Sequence, residues 1–277
     1  RLVLNAGGQL KAPGVGTAIA PDRLSIERLS IERGHVDLVD AASGSTLALD
    51  DLSFAGDVRS LVGPLRGGGT FVSDGASYRY RIASGRGGAD GAKLRLSLEA
   101  RDRPLIAEAD GVLRIDAASP RYEGALTLMR PAGAALSGGR TLAREPWRLT
   151  TQLRADPRRV RAEDIEFQYG PDEHSLRLSG KADIALGTSP HFAASLAGRQ
   201  LDLDRATGAP DAGRGSPAAT LLGAVRMLFE EARPPMRGKL DLDVDALTMG
   251  GATLQNLHGA IGVARDYWDI ETLEFRA

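Results

Sequence analysis

The chain has 277 residues, and its 35 Lys and Arg against 36 Asp and Glu exclude the broad basic surface that a nucleic-acid binder needs. It contains no Cys, which excludes disulfides, thiolate nucleophiles and cysteine metal sites. Apolar residues make up 42% of the chain but aromatics only 5%, so a core here is built from Leu, Ala, Val and Ile rather than from rings.

The length suffices for one large β domain or two smaller ones. There is no apolar run approaching a membrane span. The chain opens on Arg1-Leu2-Val3-Leu4 and stops at Phe275-Arg276-Ala277 inside a predicted strand. It is therefore expected to be a segment of a larger protein, with any export signal or membrane anchor outside it.

In chain order, the first feature is a tandem repeat, Leu24-Ser25-Ile26-Glu27-Arg28 followed by Leu29-Ser30-Ile31-Glu32-Arg33. A five-residue period reverses side-chain direction in an unbroken strand, so a bulge or turn near Arg28 would restore the face. Strands are predicted at 24–31, 35–39, 46–49, 52–58, 69–72 and 76–82. Turn-formers separate several of them: Ala42-Ser43-Gly44-Ser45, Gly67-Gly68-Gly69 and Ser84-Gly85-Arg86-Gly87-Gly88. Period-two alternation is clear in Leu94-Arg95-Leu96-Ser97-Leu98-Glu99 and in Trp147-Arg148-Leu149-Thr150-Thr151-Gln152-Leu153-Arg154. Between and after these, 103–115, 121–129 and 161–169 are weaker strands, and Gly170-Pro171-Asp172-Glu173 is a turn. Leu176-Arg177-Leu178-Ser179-Gly180-Lys181-Ala182-Asp183-Ile184 alternates again, followed by a strand at 191–203. The short spacings favour antiparallel hairpins.

One stretch departs from this pattern. After a flexible connection, Ser216-Pro217 supplies an N-cap and a first-turn proline. Leu221, Leu222, Val225, Leu228 and Phe229 then recur at helical spacing, and Pro234-Pro235 ends the run. An amphipathic helix is predicted over 216–232. Alternation resumes in Leu240-Asp241-Leu242-Asp243-Val244-Asp245, with strands at 252–263 and 268–275. The expected organisation is an antiparallel β-groove segment over 1–205, a linker and helix over 206–235, and continuing strands over 236–277.

Such strands must cover their apolar faces. A helix of about 16 residues is about 24 Å long. A dozen strands at about 4.8 Å spacing would span roughly 50–60 Å. The helix cannot cover that. Either two sheets pack into a closed sandwich, or one long, curved antiparallel sheet forms an apolar groove, taco-like or half-barrel, that acyl chains fill. At about 0.8 kcal/mol per buried methylene, two lipid tails would stabilise such a groove. The pattern leaves both open.

Several stretches resemble the AsmA family of bacterial envelope proteins. They are Leu29-Ser30-Ile31-Glu32-Arg33-Gly34-His35-Val36-Asp37-Leu38-Val39-Asp40 with Leu47-Ala48-Leu49-Asp50-Asp51-Leu52-Ser53-Phe54, and Ser60-Leu61-Val62-Gly63-Pro64-Leu65 through Phe71. Leu176–Ala182 with Leu201-Asp202-Leu203-Asp204-Arg205 is a third, and Gly238–Leu242 with Leu254-Gln255-Asn256-Leu257-His258-Gly259 a fourth. The resemblance runs from about residue 20 to the end, through Trp268–Phe275. It carries strand and turn patterns but no catalytic signature, and the family's amino-terminal membrane helix is missing. It implies a mainly β groove of the TamB-like, bridge-like lipid-transfer type. It also implies a periplasmic location with anchorage in the inner membrane, and phospholipid transport toward the outer membrane in envelope lipid homeostasis. The partners it implies are phospholipid acyl chains and outer-membrane components; no cofactor or metal is expected. The other reading is a non-catalytic closed β-sandwich that assists outer-membrane protein assembly.

Candidate groove-lining residues are Leu94, Leu96, Leu98, Leu149, Leu176, Leu178, Ile184, Leu240, Leu242 and Val244, and the predicted helix would be a lid. No catalytic chemistry competes. His35, His174, His191 and His258 lack zinc-site spacing, so all four are taken as surface or structural histidines. Asp241, Asp243 and Asp245 share a strand face without an EF-hand loop, and fit a solvated outer face that also discourages edge pairing. The glycine runs lack the Gly-Lys-Ser/Thr ending of a phosphate loop and are taken as hairpin turns.

Overall fold

The structure is a computed structural model that describes residues 3–4, 10–11, 26–39, 46–58, 64–88, 90–115, 120–132, 146–187, 189–207, 236–264 and 267–276. Short strands β1 (Val3–Leu4) and β2 (Leu10–Lys11) pair with each other. Fourteen more strands form one open sheet. They begin with β3 (Ile26–Val39), β4 (Thr46–Val58), β5 (Leu65–Ser73), β6 (Ala76–Ser84), β7 (Ala92–Ala100) and β8 (Ile106–Ile115). Next come β9 (Pro120–Arg130), β10 (Trp147–Ala155), β11 (Arg159–Tyr169), β12 (Leu176–Ala185) and β13 (His191–Asp202). The last are β14 (Arg237–Met249), β15 (Ala252–Val263) and β16 (Trp268–Arg276). Each is hydrogen-bonded to its sequence neighbours, so the spatial order is the chain order. The protein is mainly β, with these fourteen strands hydrogen-bonded into one curved, open sheet.

One pairing departs from the antiparallel expectation: β13 and β14 run parallel, with Leu196 beside Leu242 and Gly198 beside Val244. A parallel step needs a long connection, because the chain must return to the starting end of its neighbour. Here 203–236 supply it, opened by the five-residue helix α1 (Leu203–Thr207). The predicted helix at 216–232, with Leu221, Leu222, Val225, Leu228 and Phe229, lies outside the described residues.

The chain divides into two compact units. The first is Arg1–Leu126 with Ala135–Arg140 and Arg154–Pro157; the second is Thr127–Ala134, Thr141–Leu153 and Arg158–Ala277. The strands on either side of 208–235 therefore share the second unit, joined by the β13–β14 pair.

The first unit merges what the sequence divides. The described part of predicted strand 24–31, from Ile26, and predicted strand 35–39 both belong to β3, and 46–49 and 52–58 are both parts of β4. Two consecutive exposed residues sit at each apparent break, Glu32-Arg33 and Asp50-Asp51. The second of each adopts a left-handed backbone, Arg33 at φ 52° and Asp51 at φ 46°. This turns the alternation over by one step and lets the strand run on. Register also shifts between Ile26 and Leu29, which sets Ile26 opposite Val58 and Ile31 opposite Phe54. That is the bulge the tandem repeat requires. The same device recurs in the second unit at Glu163-Asp164 (φ 52°) and Gln255-Asn256 (φ 49°). Polar side chains satisfy the irregular backbone: Thr151 donates to the Glu163 carbonyl at 2.7 Å, and the Ser53 hydroxyl accepts from the Thr70 amide at 2.8 Å.

Gly67-Gly68-Gly69 corrects a second expectation. It lies inside β5, not in a turn. The Phe54 ring crosses Gly67, where a Cβ would sit 2.6 Å from ring carbons. The tight hairpins are elsewhere. Asp74-Gly75 and Gly250-Gly251 have φ between 50° and 76°, the signature of a two-residue turn with positive φ at both positions. The Gly250 and Gly251 amides both donate to the Asp204 carboxylate, at 2.7 and 2.9 Å, so α1 is tied to the β14–β15 turn.

Candidate functional site

Cross-strand partners share a face, so the registers sort every side chain. In the second unit one face is apolar across five strands. Its rows are Val160–Ile184–Phe192–Gly238–Val263, Ala182–Ala194–Leu240–Ile261, and Gly180–Leu196–Leu242–Gly259. Next come Phe167–Leu178 on β11–β12 and Gly198–Val244–Leu257 on β13–β15, with Leu178 reaching over Gly198. The last row is Leu201–Leu247–Leu254. Trp147 stacks obliquely on Phe167 at 6.3 Å, which extends the face to β10 and to Leu149, two residues along.

Burial is graded along this face. At the Gly250-Gly251 end, Leu201, Val244, Leu247, Met249, Leu254 and Leu257 form a buried cluster, with Leu176, Leu178, Leu203 and Leu242 packed against it. Away from that end, Ile184, Phe192, Leu196, Leu240 and Ile261 are only half-buried, while Val263 in the outermost row is buried again. On β16, Ile270 and Leu273 continue the face at 40% exposure each. Apart from the sheet neighbours, α1 is the described element that packs on these strands, against β14.

The first unit has a similar face. Leu94, Leu96 and Leu98 project from β7 beside Ser84, Ile82 and Tyr80 of β6. Phe71 stacks on Tyr78 at 5.1 Å and approaches Tyr80 at 5.9 Å. The Tyr80 hydroxyl donates to the Ser53 carbonyl at 2.9 Å, and burial raises its pKa.

The opposite faces are polar and laced with cross-strand ion pairs. Examples are Arg95–Asp110, Arg159–Asp183, Lys239–Glu271 and His258–Asp243. His35 bonds Asp50 at 2.6 Å and Asp37 at 2.9 Å; these hydrogen bonds, that to Asp50 first, raise its pKa. The hydrogen bond to Asp243 does the same for His258. The hydrogen bond from Arg159 lowers the Asp183 pKa. Among the described residues no group of three His, Asp or Glu is placed to hold a metal ion, and no helix among them is long and apolar enough to cross a membrane.

The predicted lining residues thus fall on two faces: Leu94, Leu96 and Leu98 together in the first unit, and Leu149, Leu176, Leu178, Ile184, Leu240, Leu242 and Val244 in the second. Val244, at 2% exposure, is part of a packed core rather than an open wall. Sequence reasoning did not single out Phe167, Phe192, Leu196, Leu247, Leu254 and Ile261 as lining residues. Their apolar alternation was visible in part, but around Asn256 the inversion hides it.

Comparison with family models, with curated proteins and with solved structures returns no match to this chain.

Proposed function

We propose that this chain is a lipid-binding segment that shields phospholipid acyl chains, as part of a periplasmic path between inner and outer membrane. The observation that carries the reading is the half-buried apolar surface over β11–β15 of the second unit. To it the described residues contribute no second large sheet and no helix longer than α1. Extended apolar patches of this kind mark ligand or membrane surfaces rather than ordinary solvent-facing ones. Leu, Ala, Ile and Val predominate there, a smooth lining that makes no polar demands on its occupant and so suits a flexible hydrocarbon chain. The resemblance to AsmA-like proteins supports the periplasmic, membrane-anchored setting and the role in envelope lipid homeostasis. No catalytic step is part of this reading.

Native mass spectrometry of the purified chain, with extraction and identification of bound lipid, tests this reading. Co-purifying phospholipid is expected, and Leu240→Glu or Leu242→Glu should lower its occupancy. A lipid-free chain that takes up no phospholipid on incubation would rule the function out.

A further inference from the structure

The polar face of the first unit carries an open depression of about 850 Å³ that the lipid reading does not use. Its floor is made of small residues, Ala55, Gly68, Ala83 and Ser97, and four arginines rim it: Arg66, Arg79, Arg81 and Arg95. The registers explain why they converge. Arg81 stands between Gly68 and Ser97, and Arg66 and Arg95 flank Ala83 in the next row. Gly68 and Ala83 put no long side chain among them.

Two of the four are committed. Arg95 bonds Asp110 through both Nε and Nη2, and Arg79 lies 3.6 Å from Glu99. Arg66 and Arg81 have no ion-pair partner among the described residues. Asp57 stands opposite Arg66 in the register without an ion pair to it, so Arg66 and Arg81 are the two guanidiniums of the depression that no described carboxylate holds. Guanidinium groups present planar forks that match the oxygens of phosphate bidentately. We propose that this depression binds a phosphate-type anion through Arg66 and Arg81, with Arg79, Arg95 and the Ser97 hydroxyl at its margin. The source is either a free phosphate compound or the headgroup of an anionic lipid.

The test uses the whole chain and two probes: inorganic phosphate by calorimetry, and phosphatidylcholine vesicles with and without phosphatidylglycerol by flotation. Binding of at least one probe is expected. The Arg66→Gln/Arg81→Gln variant should weaken it about tenfold or more, and Arg81→Lys, which keeps charge but loses the fork, should fall between. Both positions are exposed, so the fold is expected to survive. Arg177→Gln, on the polar face of the second unit, should leave binding unchanged. Binding of phosphate identifies a free anion as sufficient; binding only of the phosphatidylglycerol vesicles identifies the headgroup. Binding of neither probe, or equal weakening by Arg177→Gln, overturns the proposal.

Discussion

Leu240 and Val244 lie four residues apart on β14 and on the same face, yet glutamate at the two positions should have very different consequences. Val244 is 2% exposed within the cluster of Leu201, Leu247, Met249, Leu254 and Leu257. A carboxyl there either stays charged without a partner or takes up a proton. Protonating a Glu of ordinary pKa near 4.3 costs about 1.4 kcal/mol per pH unit, so about 4 kcal/mol at pH 7. Losing the valine burial adds about 1.5 kcal/mol. The total, about 5 kcal/mol, matches the whole stability of a marginal domain. At half-buried Leu240 the carboxylate keeps its water, and the cost is roughly half a leucine burial, about 1 kcal/mol. Both tryptophans of the chain, Trp147 and Trp268, belong to the second unit, so urea denaturation followed by intrinsic fluorescence reports on that unit. Val244→Glu should lose most of its stability at pH 7 and recover part of it near pH 4.5, where protonation no longer costs much. Equal losses at the two positions would show that the face is closed along its length, and the graded burial argument would fail.

Gly67→Ala places a methyl 2.6 Å from the Phe54 ring and 2.7 Å from the Ala55 carbonyl, so it should destabilise the first unit by about 1–3 kcal/mol by thermal melting. Phe54→Leu in the same chain should return only part of this, because the carbonyl remains. Asp204→Ala removes the acceptor of the Gly250 and Gly251 amides, and should cost about 1–3 kcal/mol and abolish their protection from hydrogen exchange. The raised His258 pKa, held up chiefly by the hydrogen bond to Asp243, should return toward its ordinary value in Asp243→Asn, as followed by NMR titration. Since the folded value lies above the unfolded one, the pair's stabilisation is complete below about pH 6.5 and is lost as pH rises through the folded pKa.

Where strands are regular, the alternation was legible in the residues: β7, β12 and the first half of β14 appear where Leu94-Arg95-Leu96, Leu176-Arg177-Leu178 and Leu240-Asp241-Leu242 place them. Strand direction was not, because alternation is the same read either way; nothing in Leu196 or Leu242 signals that their strands run parallel. Paired polar residues such as Asp50-Asp51 resemble a turn, and only the backbone angle at Asp51 separates the two cases. Depth was also hidden. Leu240 and Val244 occupy equivalent places in one pattern, and their difference in burial comes from neighbours on other strands.

The left-handed residues inside β3, β4, β11 and β15 have a consequence for insertions and deletions. A strand that keeps one alternation from end to end is ruined by losing any interior residue. Here each strand contains one point where a residue has already been absorbed. Deleting Asn256 would join exposed Gln255 directly to buried Leu257, so that Ala252, Leu254 and Leu257 stay on the apolar side in one unbroken alternation, whereas deleting Gly259 or Thr253 would reverse the residues on one side of the cut. A single deletion should therefore be tolerated best at such a point and least between them, and a scan of single deletions along β15 would record that parity directly.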